Sequence, residues 1–415
     1  MTSSNIVTTG KPCTGWQPEA GLSPCRGKII GYLPGWIVPP PATELFSAGY
    51  THIIVAFGVF DLKIPGSIVS SFSELSASYI KSLKTAGLKV LLSIGGASSS
   101  IPNTTVDFMQ VLKLASSLQT FEDTFIASFQ KFVTVYGFDG IDFDLEQGFA
   151  NPAELINKGT TFENPIGDIR VVINIINKLH ANNPSLLISL VPQAANIAPS
   201  QAFNQTWASY SSLIMQTYNS LSWVGIQLYN TGGMWGIDQN LYASSVNNSI
   251  VTSSPDFSVA MAVDLLENWP SQINGRATGW LKYVSNLKPE QIVLGYPAPD
   301  SKGISDGAPS APASVIMRAT QCLRTGIKGQ YSCDTYVPPK AYPGFGGVFT
   351  WETSRDRDNN YAFAKNLKNC IINNNCGVTP TNPTTPKVNL GVTIKNIGTT
   401  NTIIKSGQTL TVTLK

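Results

Sequence analysis

Eight short, continuously apolar runs separated by helix-length spacers predict an α/β protein, and specifically a TIM (β/α)8 barrel. The runs fall at 28–33, 51–57, 89–94, 138–145, 186–191, 223–229, 292–295 and 347–350. Continuous apolarity is the habit of parallel strands covered on both faces. Alternation alone would also fit a doubly wound sheet. However, the first run leads into Leu33-Pro34-Gly35-Trp36, which has none of the glycine-rich character of a phosphate turn.

Taken in order, residues 1–26 precede the first strand as an extension that holds Cys13 and Cys25. The opening stretch contains no apolar segment of about 7–15 residues, so no signal peptide is visible there. Between the third and fourth strands, Phe125, Ile126, Phe129, Phe132 and Val133 recur at helical spacing and predict a helix over 121–135. Between the fourth and fifth, Ile169, Val172, Ile173, Ile176 and Leu179 predict a second over 168–180, with Asp168 as its N-cap. The barrel domain runs from 27 to 376. A Pro/Thr-rich linker follows at 377–387, and 388–415 alternate apolar and polar residues around Gly and Asn. That last piece reads as part of a β-sandwich-like module, since 28 residues cannot close a sandwich.

Composition excludes several classes. Charged residues make up 13% of the 415, about half the usual share, and the net charge is +3 with no Lys/Arg cluster. Neither a nucleic-acid footprint nor a disordered charged chain is expected. The apolar runs also stop far short of the ~18 residues of a membrane span. Six cysteines lie in three close couples, Cys13–Cys25, Cys322–Cys333 and Cys370–Cys376. Six cysteines allow 15 connectivities, but this spacing suggests local disulfides and an oxidising compartment; six buried thiols is the alternative. Only His52 and His180 are present, and both fit core or surface roles, so neither a Ser-His-Asp triad nor a histidine-rich metal site is supported.

The chemistry is concentrated in Phe138-Asp139-Gly140-Ile141-Asp142-Phe143-Asp144-Leu145-Glu146. Alternation along a strand puts Asp142, Asp144 and Glu146 on one face, about 6.6 Å apart in succession, and Ile141, Phe143 and Leu145 on the other. Three like charges on a buried face require a proton or strong hydrogen bonds, and raising a carboxyl pKa in this way yields a general acid near neutral pH. On a barrel, the last member points to the C-terminal mouth. A calcium loop starting at Asp142 would need Gly and Glu at its sixth and twelfth positions, where Gln147 and Ala153 stand. No metal is expected. Asp139 lies off the acidic face and reads as structural.

Asp-Gly-Ile-Asp-Phe-Asp-Leu-Glu (139–146) resembles the Asp-x-x-Asp-x-Asp-x-Glu signature of family-18 glycoside hydrolases, the chitinase family. Ser-Ile-Gly-Gly (93–96), Gln-Leu-Tyr-Asn (227–230) and Gly-Gly-Val-Phe-Thr-Trp-Glu (346–352) resemble its third-, sixth- and eighth-strand motifs. Gly31-Tyr32 and Ala56-Phe57 fit the first and second strands. The resemblance implies a cofactor-free endochitinase that cuts β-1,4 bonds of chitin with retention, the substrate's own acetamido oxygen acting as nucleophile. Glu146 would be the acid and Asp144 would orient the acetamido N–H. Tyr229 would bond its carbonyl side, and Asp142, supported by Ser93, would share a proton with Asp144. Trp351 would floor the sugar, while Gln227, Asn230 and Tyr32 would complete the substrate-binding set.

The stretch between the seventh and eighth strands leaves room for little beyond a helix and its loops. The α+β insertion that walls the cleft of some relatives is therefore expected to be missing, which implies an open groove and endo cutting. Val-Pro-Gln (191–193) is a mild departure from the Ala-Pro-Glu or Ala-Pro-Gln of many relatives. Trp36, Trp207 and Trp235 are equally readable as sugar platforms or as packing. The resemblance also implies a secreted monomer that meets chitin or N-acetylglucosamine oligomers and neither nucleic acid nor membrane. Two alternatives stay open: an endo-β-N-acetylglucosaminidase acting on glycans, and a non-catalytic chitin-binding lectin.

Overall fold

In the computed structural model, residues 27–149, 167–199, 210–243, 253–273, 276–277 and 283–377 are described. The expected linker beyond Gly377, the fragment 388–415, the Cys13–Cys25 couple and Trp207 lie outside them.

Eight parallel strands close on themselves: β1 (Lys28–Pro34), β2 (His52–Asp61), β3 (Lys89–Gly95), β4 (Gly140–Asp144), β5 (Leu187–Leu190), β6 (Trp223–Gln227), β7 (Ile292–Pro297) and β8 (Gly347–Trp351). Each pairs with its neighbours in chain order, and β1 joins β8 to β2, with Gly31 in register with both Thr350 and Ile53. The predicted TIM barrel is therefore present, strand for strand. Around it lie α1 (Ala42–Ala48), α2 (Ala77–Thr85), α3 (Leu118–Tyr136), α4 (Asp168–Asn182), α5 (Ser211–Thr217), α6 (Asp256–Leu266), α7 (Ala313–Thr325) and α8 (Ala362–Asn373).

Two element boundaries differ from the sequence expectation. Helix α3 starts at Leu118 rather than 121 because the Ser117 side chain caps it, accepting from the Thr120 amide at 3.0 Å. Asp168 is not the N-cap of α4. Gly167 occupies that position with φ +66, and Asp168 is the first helical residue, buried, where its charge faces the positive end of the helix dipole. Strand β2 also runs on to Asp61 and pairs antiparallel with Ile68–Ser70 and Thr104–Thr105, which extends the rim of the barrel mouth. Between β7 and β8, a fully described stretch, α7 is the only helix and no strand intervenes, as expected.

The core has two main compartments, as strand alternation requires, and a smaller cluster of Ala56, Phe57, Val59 and Val106. Ile29, Ile53, Val90, Ile141, Ile188 and their counterparts face outward to the helices. Inside the barrel, Ile30, Tyr32, Ile54, Leu91, Val191, Trp223, Val293 and Phe349 form a separate buried cluster. The floor is closed by Trp223, with the His52 ring edge-on at 5.2 Å and the Lys28 ammonium 5.9 Å from its centre. Asp139 ties the bottom of β4, accepting from the Val90 amide at 2.9 Å and pairing with Lys84 at 3.0 Å. It faces away from the mouth. Disulfides join Cys322 to Cys333 and Cys370 to Cys376, the two local couples within the described residues.

Phe349 fills the barrel axis because two neighbouring strands present glycines to it. A methyl at Gly225 would stand 3.1 Å from the ring, and one at Gly295 would be driven into it. The ring in turn packs at 5.4 Å from Tyr32. Gly295→Ala should therefore overpack the axis and cost about 1–3 kcal/mol. A lower urea midpoint with an unchanged m-value will show it, whereas a midpoint equal to the parent's would contradict this packing.

Candidate active site

Strand β4 carries the acidic ladder as alternation predicts. Ile141, Phe143 and Leu145 pack under the helices, while Asp142 and Asp144 enter the barrel. Asp142 has no exposed surface, and three hydroxyls serve it: Tyr32 at 2.9 Å and Ser93 at 2.8 Å on Oδ2, and Ser189 at 2.6 Å on Oδ1. Register explains two of them. Ser93 on β3 and Ser189 on β5 are the direct lateral partners of Asp142, so all three side chains share one interior layer. Burial pushes the Asp142 carboxyl up to about 6, and the three donated bonds oppose that rise.

Asp144, one layer higher, is also buried. Burial, followed by the charges of Glu146 and Asp142, holds its carboxyl well above the usual range. Its hydrogen-bond partners are Glu146 and the Gln227 amide, whose Nε2 reaches Asp144 Oδ1 at 3.1 Å and the Val191 carbonyl at 2.8 Å. Asp144 is thus influenced from both sides, by the Asp142 charge below it and by Glu146 above it.

Glu146 stands just beyond the strand and is open to the cleft. Enough protein crowds it that burial raises its carboxyl too, against hydrogen bonds from Gln227 and Asp144 that lower it. Its backbone is anchored on both sides. The Tyr210 hydroxyl accepts from the Leu145 amide at 3.2 Å and donates to the Leu145 carbonyl at 3.0 Å, and Gln147 Nε2 donates to the Ala97 carbonyl at 2.5 Å. Gly95 and Gly96 permit this approach. Both have positive φ, the Gly96 amide donates to the Asp144 carbonyl at 2.8 Å, and any side chain at Gly95 would collide with that carbonyl.

Across the mouth, β6 delivers Gln227 and then Tyr229, buried, whose hydroxyl has no hydrogen-bond partner among the described residues. Burial and the acidic ladder raise its phenol, keeping it a neutral donor. Asn230, exposed beside it, accepts from the Ala308 amide at Oδ1, and its own backbone amide donates to the Ala308 carbonyl. At the end of β8, Trp351 forms an aromatic surface with Phe57, stacked at 5.8 Å and 20°, Tyr32 at 5.9 Å and Trp36 at 6.5 Å. Trp36 is 48% exposed and extends this surface along the cleft. Trp235 lies half-buried on a short hairpin (Gly233–Trp235 with Leu241–Ala243).

The structure brings Tyr32, Ser93, Asp142, Asp144, Glu146, Gln227, Tyr229 and Trp351 together at the C-terminal ends of the strands, with Asn230 beside Tyr229 and tied to Ala308. Sequence reasoning did not pick out Ser189, Tyr210 or Asp306. For Ser189 a signal existed, a lone polar residue in the apolar run 186–191, but its meaning depends on knowing the register. Among the described residues no group of three or more His, Cys, Asp or Glu could hold a metal ion, and no helix is long and apolar enough to cross a membrane.

The sequence model of glycosyl hydrolases family 18 matches residues 28–365. The chain is 55% identical to the C-terminal domain of ChiA from Legionella pneumophila, known from a crystal structure. The TM-score is 0.79, with 84% of this chain and 100% of that one covered. A family GH18 chitinase from Chromobacterium violaceum is 25% identical, with a TM-score of 0.61 and 82% of each chain covered. Chitinase D of Niallia circulans is 30% identical over 358 residues, 79% of this chain and 61% of that protein. The chain spans about half to three fifths of the length of such curated relatives. With the acidic ladder, the barrel and the matched span in agreement, the chain belongs to family 18 of the glycosyl hydrolases.

Proposed function

We propose that this barrel is a retaining chitinase that cuts β-1,4 bonds between N-acetylglucosamine units from within the chain, with the substrate's acetamido group as nucleophile. The reading is carried by the ladder: one carboxyl open to the cleft, Glu146, hydrogen-bonded to a buried carboxyl, Asp144, that is itself engaged by Gln227. A protein nucleophile would have to reach the anomeric carbon as a free carboxylate about 5–5.5 Å from the acid. Asp144, buried and twice engaged, is poorly suited to that role. It is well suited to accept a hydrogen bond from an acetamido N–H and to face a developing positive charge.

In the proposed sequence Glu146 gives its proton to the glycosidic oxygen as the bond to the anomeric carbon breaks. The acetamido carbonyl oxygen bonds to that carbon, giving an oxazolinium ion. Asp144 orients the N–H and offsets the cation, and Tyr229 donates to the acetamido oxygen. Water then attacks the anomeric carbon on the face the leaving group vacated, losing its proton to Glu146 as the bond to the acetamido oxygen breaks and the acetamido group is restored, so the configuration is retained. Trp351, with Phe57 beneath it, supplies an apolar floor for the sugar ring, and Trp36 a further platform. Endo action is supported by the plain helix-and-loop connection between β7 and β8, which adds no β-containing wall. The two disulfides favour an extracellular setting.

Glu146→Gln should lower turnover of chitin oligomers by ~10²–10⁴-fold while leaving their binding within a few-fold. Residual turnover within tenfold of the parent would reject the assignment of the acid. NMR of fresh digests should show the β anomer first, and initial α product would exclude acetamido attack. The pH profile offers an independent check. The shared proton must be present for the acid step, so kcat/KM should fall on the alkaline side. Asp142 is one of the charges that raise Asp144. Removing it with Asp142→Asn makes the proton easier to lose, so the alkaline limb should move to lower pH. A limb that stays in place or moves upward would show that Asp142 does not act on the pair.

A further inference from the structure

The loop after β7 touches both walls of the site, and its most informative residue is Asp306. Trp351 Nε1 donates to Asp306 Oδ2 at 3.0 Å. The next residue, Gly307 (φ +130), lies flat on the Tyr229 ring, where a Cβ would stand 3.0 Å from the ring carbon Cδ2. The residue after that is clamped to Asn230: the Asn230 amide donates to the Ala308 carbonyl at 2.7 Å, and the Ala308 amide to Asn230 Oδ1 at 3.0 Å. Ser305 closes the loop on itself, donating to the Gly307 carbonyl at 2.6 Å and accepting from Ser310 at 2.8 Å. Asn230, a sugar contact by the family resemblance, also anchors this loop.

The other neighbours of the Trp351 ring (Phe57, Tyr32 and Trp36) are aromatic and constrain it only through non-directional contact. An indole has a single polar atom, so the Nε1–H bond is its one directional restraint. A carboxylate acceptor makes that bond stronger than a neutral one would. Asp306 is exposed, so its carboxylate serves no packing role that would explain its position.

We propose that Asp306 is a positioning residue: by holding the Trp351 indole from a loop clamped to Asn230 and laid on Tyr229, it fixes the aromatic floor relative to the hydroxyl that meets the acetamido group. The catalytic consequence rests on the chitinase reading above, whereas the contact itself does not. Misplacing a bound sugar by an ångström can cost on the order of 10²-fold in rate.

A double-mutant cycle tests this with the full chain. Asp306→Ala should lower kcat/KM on chitin oligomers about tenfold, mainly in kcat, with an unchanged melting temperature. Asp306→Asn, which keeps an acceptor oxygen, should recover most of the loss. In a Trp351→Phe background, which lacks the N–H, Asp306→Ala should change kcat/KM less than twofold. Multiplicative losses in the double variant, or an Asp306→Ala variant within twofold of the parent, would overturn the proposal. A second measurement needs no turnover. Among the indole N–H resonances of the eight tryptophans, the one lost in Trp351→Phe should move upfield and exchange faster with solvent in Asp306→Ala. An unmoved resonance would also overturn it. Should the parent cleave no chitin oligomer, the functional reading fails, and the resonance still decides the contact.

Discussion

A carboxyl with no exposed surface, Asp142, sets the terms for the rest of the barrel interior. Burying a charge is tolerable only when hydrogen bonds replace the lost water. The replacements come from three strands: Tyr32 on β1, Ser93 on β3 and Ser189 on β5. Three donated bonds oppose the rise that burial imposes on Asp142, whereas Asp144 and Glu146, nearer the cleft, are raised with fewer such bonds against them. A structural solution to a burial problem thereby leaves the carboxyls with raised pKa at the mouth, where the proposed reaction requires a proton donor.

The hydroxyls can do this only if the strands are held at a fixed stagger, and the interior packing provides that. Phe349 occupies the axis where Gly225 and Gly295 leave room, and it supports Tyr32 from below. Farther down, Trp223 closes the floor with His52 and Lys28. The chain therefore places its largest interior rings in successive layers under the site, and the acidic layer rests on them. Outside, Tyr210 grips the backbone of Leu145, so the step from strand to loop that presents Glu146 is fixed from the helical side too.

The strands and the ladder were legible in the sequence because both depend on local periodicity. Apolar runs declare buried parallel strands, and acids at alternate positions declare a shared face. What was not legible depends on strand register or on loops. Ser189 has meaning only once β5 is known to lie beside β4 with those two residues opposite each other. Asn230 meets Ala308 across 78 residues of chain, and Asp306 meets Trp351 across 45, through loop geometry that no periodicity encodes. Asp168 misled because an acidic residue ahead of an apolar stripe reads as a cap. With Gly167 able to take the cap conformation, the acid moved one place inward to the first helical turn.

The ladder also lacks something that most buried acids have. None of the groups that shift Asp142, Asp144 or Glu146 is a cation; the compensating partners are phenol, serine hydroxyls and one amide. Neutral dipoles packed inside a protein are not screened by mobile ions as exposed charge pairs are. The ionisation of this site is accordingly governed by protons far more than by salt, which suits the proposed reaction on an uncharged polymer.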